Sequence, residues 1–334
     1  HFRNVEAAVP KRIAAFVFRI GSRAASRHNP LMLRKTPFIL VDVFTSRPFG
    51  GNQLAVFTDG AALSASEMQE LAHEMNYSES TFVMPAESPG AARRVRIFTP
   101  SIEMPMAGHP TVGTTWVLAS RGEIALDSAS VDATLQLGIG PVTVTVENTA
   151  GKPDFVWMAH REAEFGAKRD DRAHVAQALG ITAADLRDDL PIQVVSTGVP
   201  FIFIPLRTLD ALAKCAPNAP AIASLFKPGE QVLLIYMFVA NGSGEFAVRS
   251  RMFAPHSGVA EDPATGSAAA PFGAYAATYG LIKPAPRTSF LIKQGVEMRR
   301  PSEIRVEVAR KDSGAFAIRI GGRCVIVGEG TMFL

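Results

Sequence analysis

Cysteine is scarce in this chain, with only Cys215 and Cys324 among 334 residues. Two thiols make no disulfide framework, and that usage fits a reducing compartment, so a cytoplasmic location is expected. Long apolar runs are also missing. No stretch approaches the roughly eighteen apolar residues of a membrane span, which excludes a transmembrane helix. No Gly-x-Gly-x-x-Gly follows a strand and there is no phosphate loop, so no nucleotide cofactor is indicated. The seven histidines show no metal-ligand spacing, and His73-Glu74 lacks the second His of a zinc helix. No cofactor and no metal are therefore expected. A basic face is missing too. Eight of the 34 basic residues but one of the 31 acidic ones fall in residues 1–36, which leaves the remainder mildly acidic. Nucleic acid is thereby excluded as a partner. Residues 1–36 are expected to stand outside the fold as an N-terminal extension. The alternative is an Arg-rich targeting segment.

What is present is apolar patterning. Hydrophobic residues make up 47% of the chain, enough for two domains with sizeable cores. Strands are predicted at Phe38–Phe44 and Leu54–Phe57, joined through Gly50-Gly51-Asn52 as a hairpin-like pair. Ser64 and Glu67 have capping-box spacing, and Met68, Leu71, Ala72 and Met75 then recur at helical intervals. Many further short strands and few helices predict an α+β architecture, not a doubly wound parallel sheet.

An internal repeat is the most informative feature. Arg96-Ile-Phe-Thr-Pro100 precedes Pro105-Met-Ala-Gly108-His109, and Arg251-Met-Phe-Ala-Pro255 precedes Pro263-Ala-Thr-Gly266-Ser267. Each copy reads strand, loop, Gly, then a helix of small residues. A weaker echo pairs Ser80–Pro85 with Pro200–Pro205. Two Gly helix starts facing each other offer free N–H groups and positive dipole ends to a carboxylate. Domains are expected at 37–150 and 151–334, the last strand being a candidate to return to the first.

Three ionisable residues stand near these starts. Glu79, at the edge of an apolar strand, is expected to have its pKa raised by desolvation and to serve as general base or acid. No carboxylate is seen at its counterpart, which this reading places near Thr197-Gly198. His109, at a helix start, is expected to be neutral. Asp262 precedes the second start, where it can cap the helix or contact a ligand.

The segments VDVFTSRPFGGNQLAVF (41–57), NYSESTFV (76–83), RIFTP with PMAGHPTVG (96–113) and AEDPATGSAA (260–269) resemble the phenazine-biosynthesis PhzF isomerase family, from about residue 37 to the end. The resemblance implies a diaminopimelate-epimerase-like fold of two pseudo-symmetric domains, each a mostly antiparallel sheet around a central helix. It implies a cofactor-independent acid/base isomerase acting on a small carboxylate, often as a homodimer. Its catalytic glutamate matches Glu79, its substrate-binding pairs match Gly108-His109 and Gly266-Ser267, and its aspartate matches Asp262. Asn52 matches a Gly-Asn position near the substrate in related epimerases. Those amino-acid epimerases carry Cys before each Gly. Here Ala107 and Thr265 stand there, which excludes a two-thiol racemisation. Gln53 departs from the Pro of many members. The alternatives are a metabolite-binding protein without catalysis and a related lyase that eliminates water.

Overall fold

In a computed structural model, described for residues 33–241, 247–284 and 286–334, alternating apolar positions build eighteen strands. Residues 1–32, most of the expected N-terminal extension, lie outside the described residues. The strands are β1 (Lys35–Val43), β2 (Asn52–Phe57), β3 (Glu79–Met84), β4 (Arg93–Phe98), β5 (Glu103–Met104), β6 (Ser130–Leu137), β7 (Gly140–Thr149), β8 (Lys152–Ala159), β9 (Glu164–Arg169), β10 (Ile192–Ser196), β11 (Pro200–Pro205), β12 (Leu234–Asn241), β13 (Ala247–Ala254), β14 (Val259–Asp262), β15 (Thr288–Gln294), β16 (Ser302–Arg310), β17 (Phe316–Gly322) and β18 (Cys324–Phe333). The helices are α1 (Ala65–Met75), α2 (Gly108–Ser120), α3 (Arg172–Leu179), α4 (Leu209–Lys214), α5 (Ala219–Ala223) and α6 (Gly266–Thr278). No helix among the described residues is long and apolar enough to cross a membrane.

The pairing makes the fold two copies of one unit. From β1 through β2, β3, β4, β6, β7 to β8 the pairs run antiparallel, parallel, antiparallel, parallel, antiparallel, antiparallel. From β10 through β11, β12, β13, β15, β16 to β17 the same order recurs. Parallel neighbours need a crossover, and helices supply it: α1 or α2 in one copy, α4 with α5 or α6 in the other. β9 adds to β10, and β18 returns to add to β1. The copies are joined through β8 and β17, where Met158 faces Ile320. Register propagated from Arg96 and Arg251 makes Met158 and Ile320 equivalent, so the pseudo-twofold axis passes between them.

This register corrects one expectation. Pro200–Pro205 is β11, the equivalent of β2, whereas Ser80–Met84 lies in β3, the equivalent of β12. The echo between them was an apolar strand pattern without topological meaning. Three strands, β5, β9 and β14, were not predicted. β9 is almost wholly exposed, so it shows no apolar alternation, and β5 and β14 have two and four residues. The predicted first residue of β13, Phe246, lies outside the described residues.

Each copy wraps its sheet around one buried helix of small residues, α2 or α6. Size explains the composition. A Cβ on Gly113 would come within 2.6 Å of Val43, and one on Gly273 within 3.0 Å of Val306. Bulkier residues would push the sheets off the helices.

The repeated Arg has a structural meaning. Arg96 forks onto Glu103 of β5, with both bonds at 2.7 Å, and stacks over Phe98. Arg251 forks onto Glu261 of β14, with both bonds at 2.8 Å, and stacks over Phe253. Each bracket ties the end of the strand to the loop that leads into the central helix. The second is the more buried, with side chains 9% and 14% exposed against 18% and 43%. Arg251 also donates to the carbonyls of Leu212, Ala213 and Cys215 at the end of α4. Arg251→Leu is therefore expected to cost roughly 3 kcal/mol, because it strands Glu261 and three carbonyls. Arg96→Leu should cost under about 1 kcal/mol. Urea unfolding of the two variants checks the ranking.

Candidate active site

The two central helices begin against each other. A Cβ on Gly108 would lie 2.9 Å from the backbone of Gly266 and Ser267, and one on Gly266 would lie 3.4 Å from the Gly108 Cα. The approach demands glycine at Gly108, whereas a Cβ on Gly266 would meet Gly108 at ordinary contact distance. Neither start has a side-chain cap: the N-cap residues are Ala107 and Thr265, and neither bonds the first turn. The first N–H groups of a helix have no partner within it, so both starts present donors and a positive dipole end. They open into a cavity of about 610 Å³. No lysine or arginine lines it among the described residues, so an anion there would be held by backbone, not by a cation.

Polar side chains gather on one wall. Asn52 opens β2 behind Gly51, whose φ of +64° and 2.2 Å Cβ approach to the Val43 carbonyl demand glycine. Its Nδ2 donates to Asp262 Oδ1 at 2.8 Å and to the Ala264 carbonyl at 3.0 Å, with His109 Nδ1 at 3.3 Å. Two hydrogens serve three acceptors, so the bond to His109 is the weakest. Ser78 Oγ donates to Asn52 Oδ1 at 3.1 Å. Glu79, the first residue of β3, follows the left-handed Asn76 that ends α1, and its Oε2 lies 3.7 Å from His109 Nδ1.

The electrostatics follow from burial. His109 is 4% exposed, and desolvation pushes its pKa down to about 3, so the ring is neutral. Glu79 keeps 19% of its side chain open, facing the cavity. Burial, with the charge of Asp262 added, raises its pKa to about 8. Asp262 is also raised by burial, but the donors Thr265 and Asn52 oppose that. Two buried carboxyls beside one another hold one proton more readily than none, and Glu79 has the fewer donors.

All seven residues singled out from sequence, Asn52, Glu79, Gly108, His109, Asp262, Gly266 and Ser267, meet here; six line the cavity and Asn52 ties its floor. The register also places the true counterparts. Glu79 is equivalent to Leu234, not to the Thr197-Gly198 region, and Asn52 to Val199. Asp262 is equivalent to Met104, because Glu103 and Glu261 align. Leu234, Val199 and Met104 make the facing surface apolar. Sequence reasoning missed Ser78, whose only signal was its place beside Glu79. It also missed Gln294, which bonds Thr265 and Asp262 from β15 and had no signal in any motif. Cys215 and Cys324 are buried away from the cavity. Desolvation pushes the Cys215 thiol up to about 12 and raises that of Cys324, so neither is a nucleophile here.

What stands here is a pair of buried carboxyls beside two helix starts, and known proteins share the fold. The family model described as "Phenazine biosynthesis-like protein" matches residues 41–330, and the chain belongs to that family. It is 33% identical to trans-2,3-dihydro-3-hydroxyanthranilate isomerase of Pseudomonas fluorescens over 297 residues, 89% of this chain and 99% of that one. It is 35% identical to an uncharacterised isomerase of Mesorhizobium japonicum, covering 89% of this chain and 98% of that one. A PhzF-family structure from Bacillus anthracis superposes with a TM-score of 0.80 at 27% identity, covering 90% and 100%. A hydroxyproline epimerase structure from Agrobacterium vitis shares the fold, with a TM-score of 0.61 at 15% identity over 90% and 93% of the chains. The chain is an enzyme of the isomerase class.

A carboxyl whose pKa is raised on folding binds its proton more tightly in the native state. Its burial therefore costs nothing near pH 4 and progressively lowers stability as pH rises toward 8. Glu79→Gln should match the parent protein in thermal unfolding near pH 4 and exceed it at pH 9.

Proposed function

We propose that this chain is a cofactor-independent, one-base isomerase that moves a proton between two positions of a small carboxylate substrate. The observation that carries the reading is the pairing of one proton-holding carboxyl, Glu79, with two uncapped helix starts and, among the described residues, no lining lysine or arginine. The substrate carboxylate lies against the N–H groups of Gly108, His109, Gly266 and Ser267. Ionised Glu79 removes a proton from an adjacent carbon, and negative charge then delocalises toward the carboxylate. The helix starts oppose that charge where it develops, which lowers the barrier. Glu79 returns the proton to a different carbon, so no electrons leave the substrate. Raised basicity suits a base that must take a proton from carbon. Neutral His109 serves as a hydrogen-bond partner for the substrate, and Asp262 orients it as an anion.

Both thiol positions of a two-base racemase are occupied by Ala107 and Thr265, and the equivalent of Glu79 is Leu234. A single base therefore has to work on one face of the substrate. Relatives that act on trans-2,3-dihydro-3-hydroxyanthranilate make that compound the first probe for this chain. Two unpaired buried cysteines also suit a cytoplasmic enzyme, and we extend the reading to a homodimer, which sedimentation would test.

Glu79→Gln should lower turnover at least about a thousandfold while leaving the fold intact. Deuterium uptake from solvent into the probe distinguishes an isomerase from a binder. Near-parental exchange in the variant, or none in the parent with any carboxylate it binds, overturns the reading. Release of water in place of an isomer would mark a lyase.

A further inference from the structure

Gln294 ends β15 fully buried, and its amide is used up. Nε2 donates to the Asp262 carbonyl at 2.7 Å and to Thr265 Oγ1 at 2.8 Å, while Oε1 accepts from the Thr265 N–H at 3.2 Å. That N–H settles the amide orientation, since the flipped amide would point donor at donor. The consequence falls on Thr265. Its hydroxyl oxygen already accepts from Gln294, so its own proton is turned toward Asp262, to which it donates at Oδ2. The other carboxylate oxygen accepts from Asn52 at 2.8 Å. Each oxygen of Asp262 thus meets a donor, which favours the charged form.

The pseudo-symmetry points to these three residues as a set. Register makes Gln294 equivalent to Leu137, Thr265 to Ala107 and Asp262 to Met104. The backbone frame is the same in both copies, for Gly295 packs on Pro263 as Gly138 packs on Pro105. A purely architectural need would be met alike on both sides. Here the polar set exists only in the copy that faces Glu79.

We propose that Gln294 and Thr265 are positioning residues that aim a hydroxyl proton at Asp262, so that Asp262 stays the anion and Glu79 holds the mobile proton. The assignment rests on the reading of Glu79 as the proton carrier. The other charged or titratable groups around Asp262 are few. His109 from α2 is neutral, and Glu261 from β14 is paired with Arg251. His256, between β13 and β14, has its pKa lowered by burial at the cavity's edge.

The test is a carboxyl-region infrared titration of the substrate-free protein, with Glu79→Gln and Asp262→Asn assigning the two bands. In Thr265→Val and Gln294→Met the Asp262 midpoint should rise and the Glu79 midpoint fall, each by about one pH unit. Thr265→Ser keeps the hydroxyl and should keep the parental midpoints. Thr265→Val is nearly isosteric and serves if Gln294→Met does not fold. Unmoved midpoints in folded Thr265→Val, or a shift of equal size in Thr265→Ser, overturn the proposal. That result leaves the isomerase reading standing, because deuterium exchange in Glu79→Gln decides the latter independently.

Discussion

Two helix starts meet where a Cβ on Gly108 would collide with the facing backbone, and the remainder of the molecule is arranged around that approach. Gly108 and Gly266 allow the backbones of α2 and α6 to touch beside the pseudo-twofold axis. Like dipole ends brought together repel, and the N–H groups they present would be stranded in a dry core. An open cavity at this point removes the second cost, and an anionic ligand offsets the first. The energetics of the contact and the anion binding proposed for this site are thus one constraint. The small-residue helices, the close-packed sheets and the Arg–Glu brackets keep the two starts in place.

A symmetric frame makes an unsymmetric site. One copy contributes Asn52, Glu79 and His109, and the equivalent positions are Val199, Leu234 and Ser267. The other copy contributes Asp262, Thr265 and Gln294, and the equivalents are Met104, Ala107 and Leu137. Neither copy holds a complete set. Asn52 bridges the two, bonding Asp262 from across the axis. The joint between the copies is therefore also the place where the two carboxyls sense each other.

The carboxyls differ by their donors more than by their depth. Both are taken from water, which raises both. Asp262 offsets part of that cost through two donors, Thr265 and Asn52, and Glu79 through one, Ser78. In a shared low-dielectric space the proton goes to the group with fewer donors. The acid/base role proposed for Glu79 thus rests as much on the bonding of its neighbour as on its own surroundings.

Local signals in the chain sufficed for the α+β class, the two Gly starts and the ionisable residues beside them, Glu79, His109 and Asp262, because glycine at a helix start, capping boxes and apolar alternation are properties of a few adjacent residues; Asn52 entered only through the family resemblance. The absence of thiols at Ala107 and Thr265 was equally legible. The tertiary structure decided what depends on pairing across the sheet: that β11 corresponds to β2 and β12 to β3, that Leu234 answers Glu79, and that Gln294 reaches Thr265 from 29 residues away. Strand equivalence is a matter of hydrogen-bond register, and apolar strands are interchangeable by composition. Gln294 sits in a strand whose alternation only marks it as buried, and a buried amide declares its role only once its three partners are in place.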